Sequence, residues 1–369
     1  MDPRALLTAV LVLLAGAVLG AIAYQVEQAR STWRPKVTRT ATGWSIRDPS
    51  GRGPSNLALA GNHIVWDSQL NVITMDLGSG RTKLLGVGVD EQSMWTPTVS
   101  DKYAVWLTMT IGAGDVQVPY VYTYEFASGR RIRHAGNRFE GIWSSPATSG
   151  TTMVWAWNGS GGPAADEIRG EDLSTGRQFV VATSTGAVGA GGLGEPVISG
   201  DLVAWSPTSA DPHADPQIIV RDLSTRHTWT IVPFRAAPSM ELGGWSLSGR
   251  TVVWSQYALR PKDGSIVGAK ETVVAENLDS GARRVIASGR RLGLEAIDGD
   301  LVVWTKQVGT VHRPTTQIMG LRLSGGRPFA IATFNQGLVQ YVLVSGDTVA
   351  MVRTDNDNTS WIETMRVPQ

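Results

Sequence analysis

The sequence predicts an all-β fold: a single seven-bladed β-propeller of four-stranded antiparallel blades, preceded by one N-terminal hydrophobic helix. Three observations predict it. A strand marked by Trp recurs at near-constant spacing. A Ser/Asp-Gly turn precedes each marker, and an Asp-Leu-Ser-Thr-Gly type of turn follows it. The composition is rich in Gly (42 of 369 residues) and only 18% charged. Soluble domains carry about 25% charged residues, so the deficit favours short strands and tight turns over long solvated helices.

The first element is the helix. Ala5 to Ala23 is an uncharged run of 19 residues rich in Leu, Val and Ala. At about 1.5 Å per residue it just spans a hydrocarbon core. We expect residues 1–23 to be a transmembrane anchor. The alternative is a signal peptide cleaved after Ala21-Ile22-Ala23. Arg30, Arg34, Lys36 and Arg39 put more positive charge after the segment than before it, which by simple counting would hold the domain inside. That rule weakens for a long folded domain, and the expectation is an extracytoplasmic protein, periplasmic or at the cell surface. Residues 24–35 read as a linker, and 36–369 as the propeller.

The blades come next. The second strands end at Trp66, Trp106, Trp155, Trp205, Trp254, Trp304 and, in the seventh copy, Met351, with spacings of 40, 49, 50, 49, 50 and 47 residues. The later turns are Asp76–Gly80, Glu125–Gly129, Asp172–Gly176, Asp222–Thr225 and Asn277–Gly281, with a weaker copy at Leu323–Gly326. Gly and Asp supply the positive φ that tight hairpins need. Four antiparallel strands in about 40–50 residues make one propeller blade. The seventh copy ends after its third strand. Lys36–Trp44 is expected to supply the missing outer strand as one continuous segment, with Thr38, Thr40, Thr42 and Trp44 on one face. The repeated Trp are expected in the packing layers between blades.

These turns, best matched by 198–205 with 222–225 and by 148–155 with 172–176, resemble the TolB-like class of β-propellers. The resemblance covers residues 50–369. It implies an exported scaffold that binds proteins or polymers. No catalytic residue carries over, because the shared positions are turn and packing positions.

Composition narrows the functions. Lys and Arg number 33 against 32 Asp and Glu, a net charge of +1, which argues against a nucleic-acid binder. No Cys is present, which excludes thiol nucleophiles, disulfides and Cys-held metals. No G-x-S-x-G, H-E-x-x-H or phosphate loop occurs, so no catalytic residue, cofactor or metal is assigned. Asp211, His213 and Asp215 form a compact group, and Asp355–Thr359 echoes the start of a calcium loop without its Gly and Glu. The first reads more simply as a proline-stiffened loop, and the second is kept only as a calcium candidate.

The long connections all fall on one face of the ring, and variable loops on a rigid scaffold carry binding. Each loop entering blades two to six holds an acid: Glu91, Glu140, Glu195, Glu241 and Glu295. Trp95, Trp143 and Trp245 lie near them. The binding residues expected are Glu140, Trp143, Glu195, Glu241 and Trp245, which combine acids with aromatic anchors. Scattered solvated charge is the alternative. The expected function is a monomeric, non-enzymatic scaffold binding a protein or cell-envelope polymer. The other possibility is a polysaccharide lyase or hydrolase with a site at the central channel.

Overall fold

The computed structural model describes residues 34–47, 53–68, 71–87, 94–111, 117–134, 139, 141–142, 144–159, 166–184, 192–207, 216–231, 240–258, 270–310, 313–335, 337–355 and 357–368. Among them there is no helix, and so none long and apolar enough to cross a membrane. The expected anchor at 1–23 lies outside the described residues.

The chain opens with β1 (Lys36–Arg39) and β2 (Gly43–Arg47). Blade one is β3 (Leu57–Ala60), β4 (His63–Ser68), β5 (Asn71–Asp76) and β6 (Thr82–Val87). Blade two is β7 (Met94–Val99), β8 (Tyr103–Ile111), β9 (Gln117–Glu125) and β10 (Arg131–His134). Blade three is β11 (Ala147–Ser149), β12 (Thr152–Trp157), β13 (Glu167–Asp172) and β14 (Arg177–Thr183). Blade four is β15 (Val197–Ser199), β16 (Leu202–Trp205), β17 (Ile218–Asp222) and β18 (Thr228–Ile231). Blade five is β19 (Met240–Ser248), β20 (Thr251–Ala258), β21 (Lys270–Asn277) and β22 (Arg283–Arg290). Blade six is β23 (Leu292–Asp298), β24 (Leu301–Thr310), β25 (Arg313–Arg322) and β26 (Phe329–Phe334). Blade seven is β27 (Leu338–Ser345), β28 (Thr348–Thr354) and β29 (Ser360–Arg366), completed by β2 and then β1.

The first strands touch one another in sequence, β3 to β7, β11, β15, β19, β23, β27 and back to β3, which closes the circle with these strands innermost. The fold is an all-β seven-bladed propeller. Seven hydrophobic clusters fill the seven gaps between blades. The six repeated Trp each anchor a different cluster, none more than 4% exposed, and Met351 takes the place in the seventh. The Trp recur because each interface needs the same large apolar volume.

Closure differs from the expected single strand. Thr40 to Thr42 form a turn: the Gly43 N–H donates to Thr40 Oγ1 and the Thr40 N–H to the Gly43 carbonyl. The strand that pairs with β29 is therefore β2, running from Gly43 opposite Met365 to Arg47 opposite Trp361. Ile46 is buried there, and Trp44 Nε1 donates to the Leu77 carbonyl of blade one at 2.7 Å. β1 adds a fifth strand outside it. In residues 36–42 only Val37 packs on the core, and it is only partly buried. Residues 43–47 have Ile46.

The turns between first and second strands repeat one arrangement. Gly61, Gly150, Gly200, Gly249, Gly299 and Gly346 have φ between 49° and 57°, with the following residue at negative φ, as in type II′ hairpins. The same glycines do a second thing that the sequence did not suggest. Their N–H groups donate to the preceding blade: Gly61 to Ser345, Gly200 to Ser149, Gly249 to Ser199, Gly299 to Ser248 and Gly346 to Asp298, at 2.6–3.1 Å. Ser100 instead donates to the Gly150 carbonyl. Blade one has Ala60 at this place and contributes no acceptor side chain. The later turns attach to the earlier ones within each blade. The N–H groups of Leu77, Phe126, Leu173, Leu223, Leu278, Leu323 and Val367 donate to the carbonyls of Asn62, Lys102, Thr151, Asp201, Arg250, Asp300 and Asp347, at 2.7–3.0 Å.

Candidate functional site

Up-and-down topology puts the short turns just described on one face, the turn face. The second-to-third and fourth-to-first connections lie on the other, the loop face. There the innermost strands break register with their neighbours. The breaks fall between Trp95 and Thr98, Leu242 and Trp245, Leu294 and Ala296, and Gln340 and Leu343. In blades three and four an isolated bridge, Ile142 with Trp157 and Leu193 with Pro207, stands before the strand resumes. Pro97, Pro146 and Pro196 occupy three of these breaks, where no N–H is needed for the ladder. Such breaks end pairing and re-aim side chains.

The residue four places before the turn Ser, or its counterpart, sits at the channel end of each innermost strand. It is Asn56, Thr96, Ser145, Glu195, Gly244, Leu294 or Tyr341 in blades one to seven. The packing positions repeat around the ring, whereas these do not. Glu195 is exposed, held on a stretch where the Gly194 N–H donates to the Ser206 carbonyl at 3.0 Å. A Cβ at Gly194 would collide with that carbonyl. Tyr341 has φ of 49° and is 43% exposed, beside the exposed Leu338. A bulky residue with positive φ is a strained conformer that the bulge sustains. Thr96 Oγ1 donates to Asn56 Oδ1 at 3.2 Å and joins blades one and two at this level.

Beneath Asn56 lies Asp67, only 3% exposed. Its Oδ1 accepts from the Asn56 N–H at 2.5 Å and its Oδ2 from Asn56 Nδ2 at 3.0 Å. Burial pushes its carboxyl above the usual range, and the bonds from Asn56 oppose this only in part. Asp67 follows Trp66. The matching residues in the other blades are Leu107, Ala156, Ser206, Ser255, Thr305 and Val352, so a carboxylate in that column was the signal that sequence reading passed over. Among the described residues, the arrangement offers a mouth with a buried acid, Asp67, and an exposed one, Glu195.

Of the expected binding residues, Glu140 and Trp143 lie outside the described residues, as does Glu91. Glu241 and Glu295 have their backbones in β19 and β23, and their side chains are outside the description. Trp245 is half-buried, opposite Trp254 in the ladder and packed on the core between blades four and five. His213, Asp211 and Asp215 are also outside. In the loop at 355–359, Asp355 Oδ1 accepts the N–H groups of Asp357 and Thr359, so this carboxylate caps a turn. Among the described residues no three His, Asp or Glu converge as metal ligands.

The turn face has a different electrostatic character. Asp172 accepts from Ser174 Oγ at 2.6 Å and from the Ser174 N–H at 2.9 Å, and Asp222 does the same with Ser224. These bonds to the charged form, the Ser hydroxyls first, hold both carboxyls below the usual range.

No protein-family model matches the chain, and no curated protein does. Solved structures match at low identity. Oligogalacturonate lyase from Vibrio parahaemolyticus is 11% identical, with a TM-score of 0.58 over 92% of this chain and 98% of that one. A structure of two prolyl endopeptidases is 11% identical, with a TM-score of 0.59 over 90% of this chain and 56% of that one. The propeller domain of the trilobed protease from Pyrococcus furiosus, which has an open velcro topology, is 10% identical, with a TM-score of 0.51 over 85% and 95%. TolB from Acinetobacter baumannii is 12% identical at a TM-score of 0.39, too distant an overlay to build on. The likeness shows a fold shared by lyases, peptidases and other propellers, and a fold does not define a function.

Proposed function

We propose that the protein is a membrane-anchored, extracytoplasmic scaffold of the TolB-like kind. It binds a protein or cell-envelope polymer through its loop face and performs no chemistry there. One observation carries this reading. The turn face repeats the same hydrogen bonds from blade to blade, whereas the channel ends of the innermost strands carry a different residue in each blade. A ring needs the first and has no use for the second, so the second is available for recognition.

The test is site-specific photo-crosslinking in membranes from expressing cells. Probes at Glu195 and Tyr341 should capture one discrete partner, and probes at Ser128 and Asp279 on the turn face should not. Capture from Ser128 or Asp279 alone would refute the reading.

A second reading, an enzyme acting on a polysaccharide at the channel, is favoured by Asp67, since a general acid needs a raised pKa. Turnover of an acidic oligosaccharide that disappears in Asp67→Asn, with folding retained, would replace the scaffold by the enzyme.

A further inference from the structure

We propose a second binding site on the turn face: a groove between blades three and four that takes an extended acidic segment of a partner protein. The groove lies at a junction that no ion pair bridges among the described residues, whereas two other junctions are bridged by a guanidinium. Between blades four and five, Arg250 closes the gap. Its guanidinium pairs with Asp222 at 3.2 Å and Asp279 at 2.9 Å, and stacks 4.8 Å above the ring of Trp229. Between blades six and seven, Arg322 joins Asp300 and Asp347 in the same way. One blade before Arg250, the residue after the turn glycine is Asp201, and the residue matching Asp222 is Asp172. Two carboxylates cannot bridge the gap.

The gap stays open as a groove of about 570 Å³. Arg177, Arg221 and Arg226 line it, together with Phe179, Val180 and Leu223. Among the described residues, none of these three guanidinium groups makes an ion pair or side-chain hydrogen bond within the protein. Asp172 and Asp201 also line the groove, so its charged lining is three cations and two anions. Arg226 adds an independent observation. Its φ is 63°, in a turn position that Gly80, Gly129, Gly176 and Gly281 fill elsewhere with φ of 66–71°. The backbone there favours glycine, so Arg at this position carries a conformational cost, and its side chain lines the groove.

The chemistry selects the occupant. Guanidinium forks bind carboxylates in pairs of hydrogen bonds. Phe179, Val180 and Leu223 add apolar surface among the polar groups, with Val180 53% exposed. β14 is the outermost strand of its sheet, so one backbone edge has no ladder partner. An extended peptide alternating acidic and apolar residues meets all three features, since its side chains alternate with period two and its backbone can pair with the edge. A sugar chain offers no ladder to that edge. This site does not depend on the loop-face reading.

The test is fluorescence anisotropy of a labelled peptide of four Glu-Val repeats added to the full-length protein. Saturable binding that weakens with salt is expected, with none for four Gln-Val repeats. Arg177→Gln/Arg221→Gln/Arg226→Gln should weaken binding at least tenfold. Arg226→Gly, a single exposed change that the positive φ accommodates, should weaken binding about threefold and keeps the test decisive if the triple variant misfolds. Glu195→Ala/Tyr341→Ala should bind as wild type. The proposal is overturned if the Glu-Val peptide fails to bind at millimolar concentration, if the Gln-Val peptide binds equally, or if a uronate oligomer of equal charge binds more tightly. Unchanged affinity in folded Arg226→Gly, or lost affinity in the loop-face variant, overturns it too.

Discussion

The turn face and the loop face of this ring are built from the same strands, yet they obey different rules. On the turn face, a glycine N–H reaches the preceding blade's Ser or Asp in five junctions, and a Leu, Phe or Val N–H ties each later turn to the earlier one. On the loop face the innermost strands leave their ladders, and the residue at their channel ends differs in every blade: Asn56, Thr96, Ser145, Glu195, Gly244, Leu294 and Tyr341. The difference separates the repeated bonds that hold the ring from the positions left free to vary. The departures inside each face then become informative: Asp67 among apolar and hydroxyl residues, and Asp201 where the next blade has Arg250.

The sharpest way to break the comparison is to open the ring. Deleting residues 36–47 removes β2, its ladder with β29, the buried Ile46 and the Trp44 bond to blade one. We expect a loss of about 3–5 kcal/mol, the scale of a large core truncation, measured by urea denaturation. An unchanged midpoint would mean that closure contributes nothing.

Next in size is a contrast in pH dependence. Asp172 and Asp222 have depressed carboxyls in the folded state, so their stabilisation is present above the unfolded value of 3.8 and is lost as pH falls below it. Asp67 is raised, so the sign reverses: folding is favoured at low pH, and the advantage is lost as pH rises from 3.8 through the folded value. Melting temperatures from pH 3 to 7 should show Asp67→Asn gaining on wild type as pH rises, and Asp222→Asn losing less than wild type as pH falls. Parallel curves would remove the electrostatic distinction between the faces.

A smaller effect is expected at a single inter-blade bond. Ser199→Ala leaves the Gly249 N–H without its acceptor and should cost about 0.5–1.5 kcal/mol. Smallest is Glu195→Ala, an exposed mouth residue, which should change stability by no more than about 0.5 kcal/mol.

The seven blades were legible because six interfaces take the same Trp at the same place and the seventh takes Met351, and a repeated demand leaves a repeated residue. The role of the Ser before each turn glycine was not. Its partner lies about 50 residues away, in the next blade, as Ser199 and Gly249 do, and only positive φ was visible locally. The closing strand was expected a few residues too early, because Thr40 looks like strand in a run of Thr but caps a turn. At the mouth, Glu195 was legible as an acid on a long connection. Trp245 looked like a free aromatic anchor, yet the bulge sets it against the Trp254 cluster. Asp67 required the column after the Trp to be read across all blades.

The division between the faces is tested most directly by partner capture and melting temperature measured on two variants side by side. Glu195→Ala/Tyr341→Ala should lose at least tenfold in capture from membrane extracts while melting as wild type does. Ser149→Ala/Ser199→Ala should melt lower and capture as wild type does below its transition. The reverse pattern, with capture lost from the turn-face variant and kept by the loop-face variant, would contradict the account.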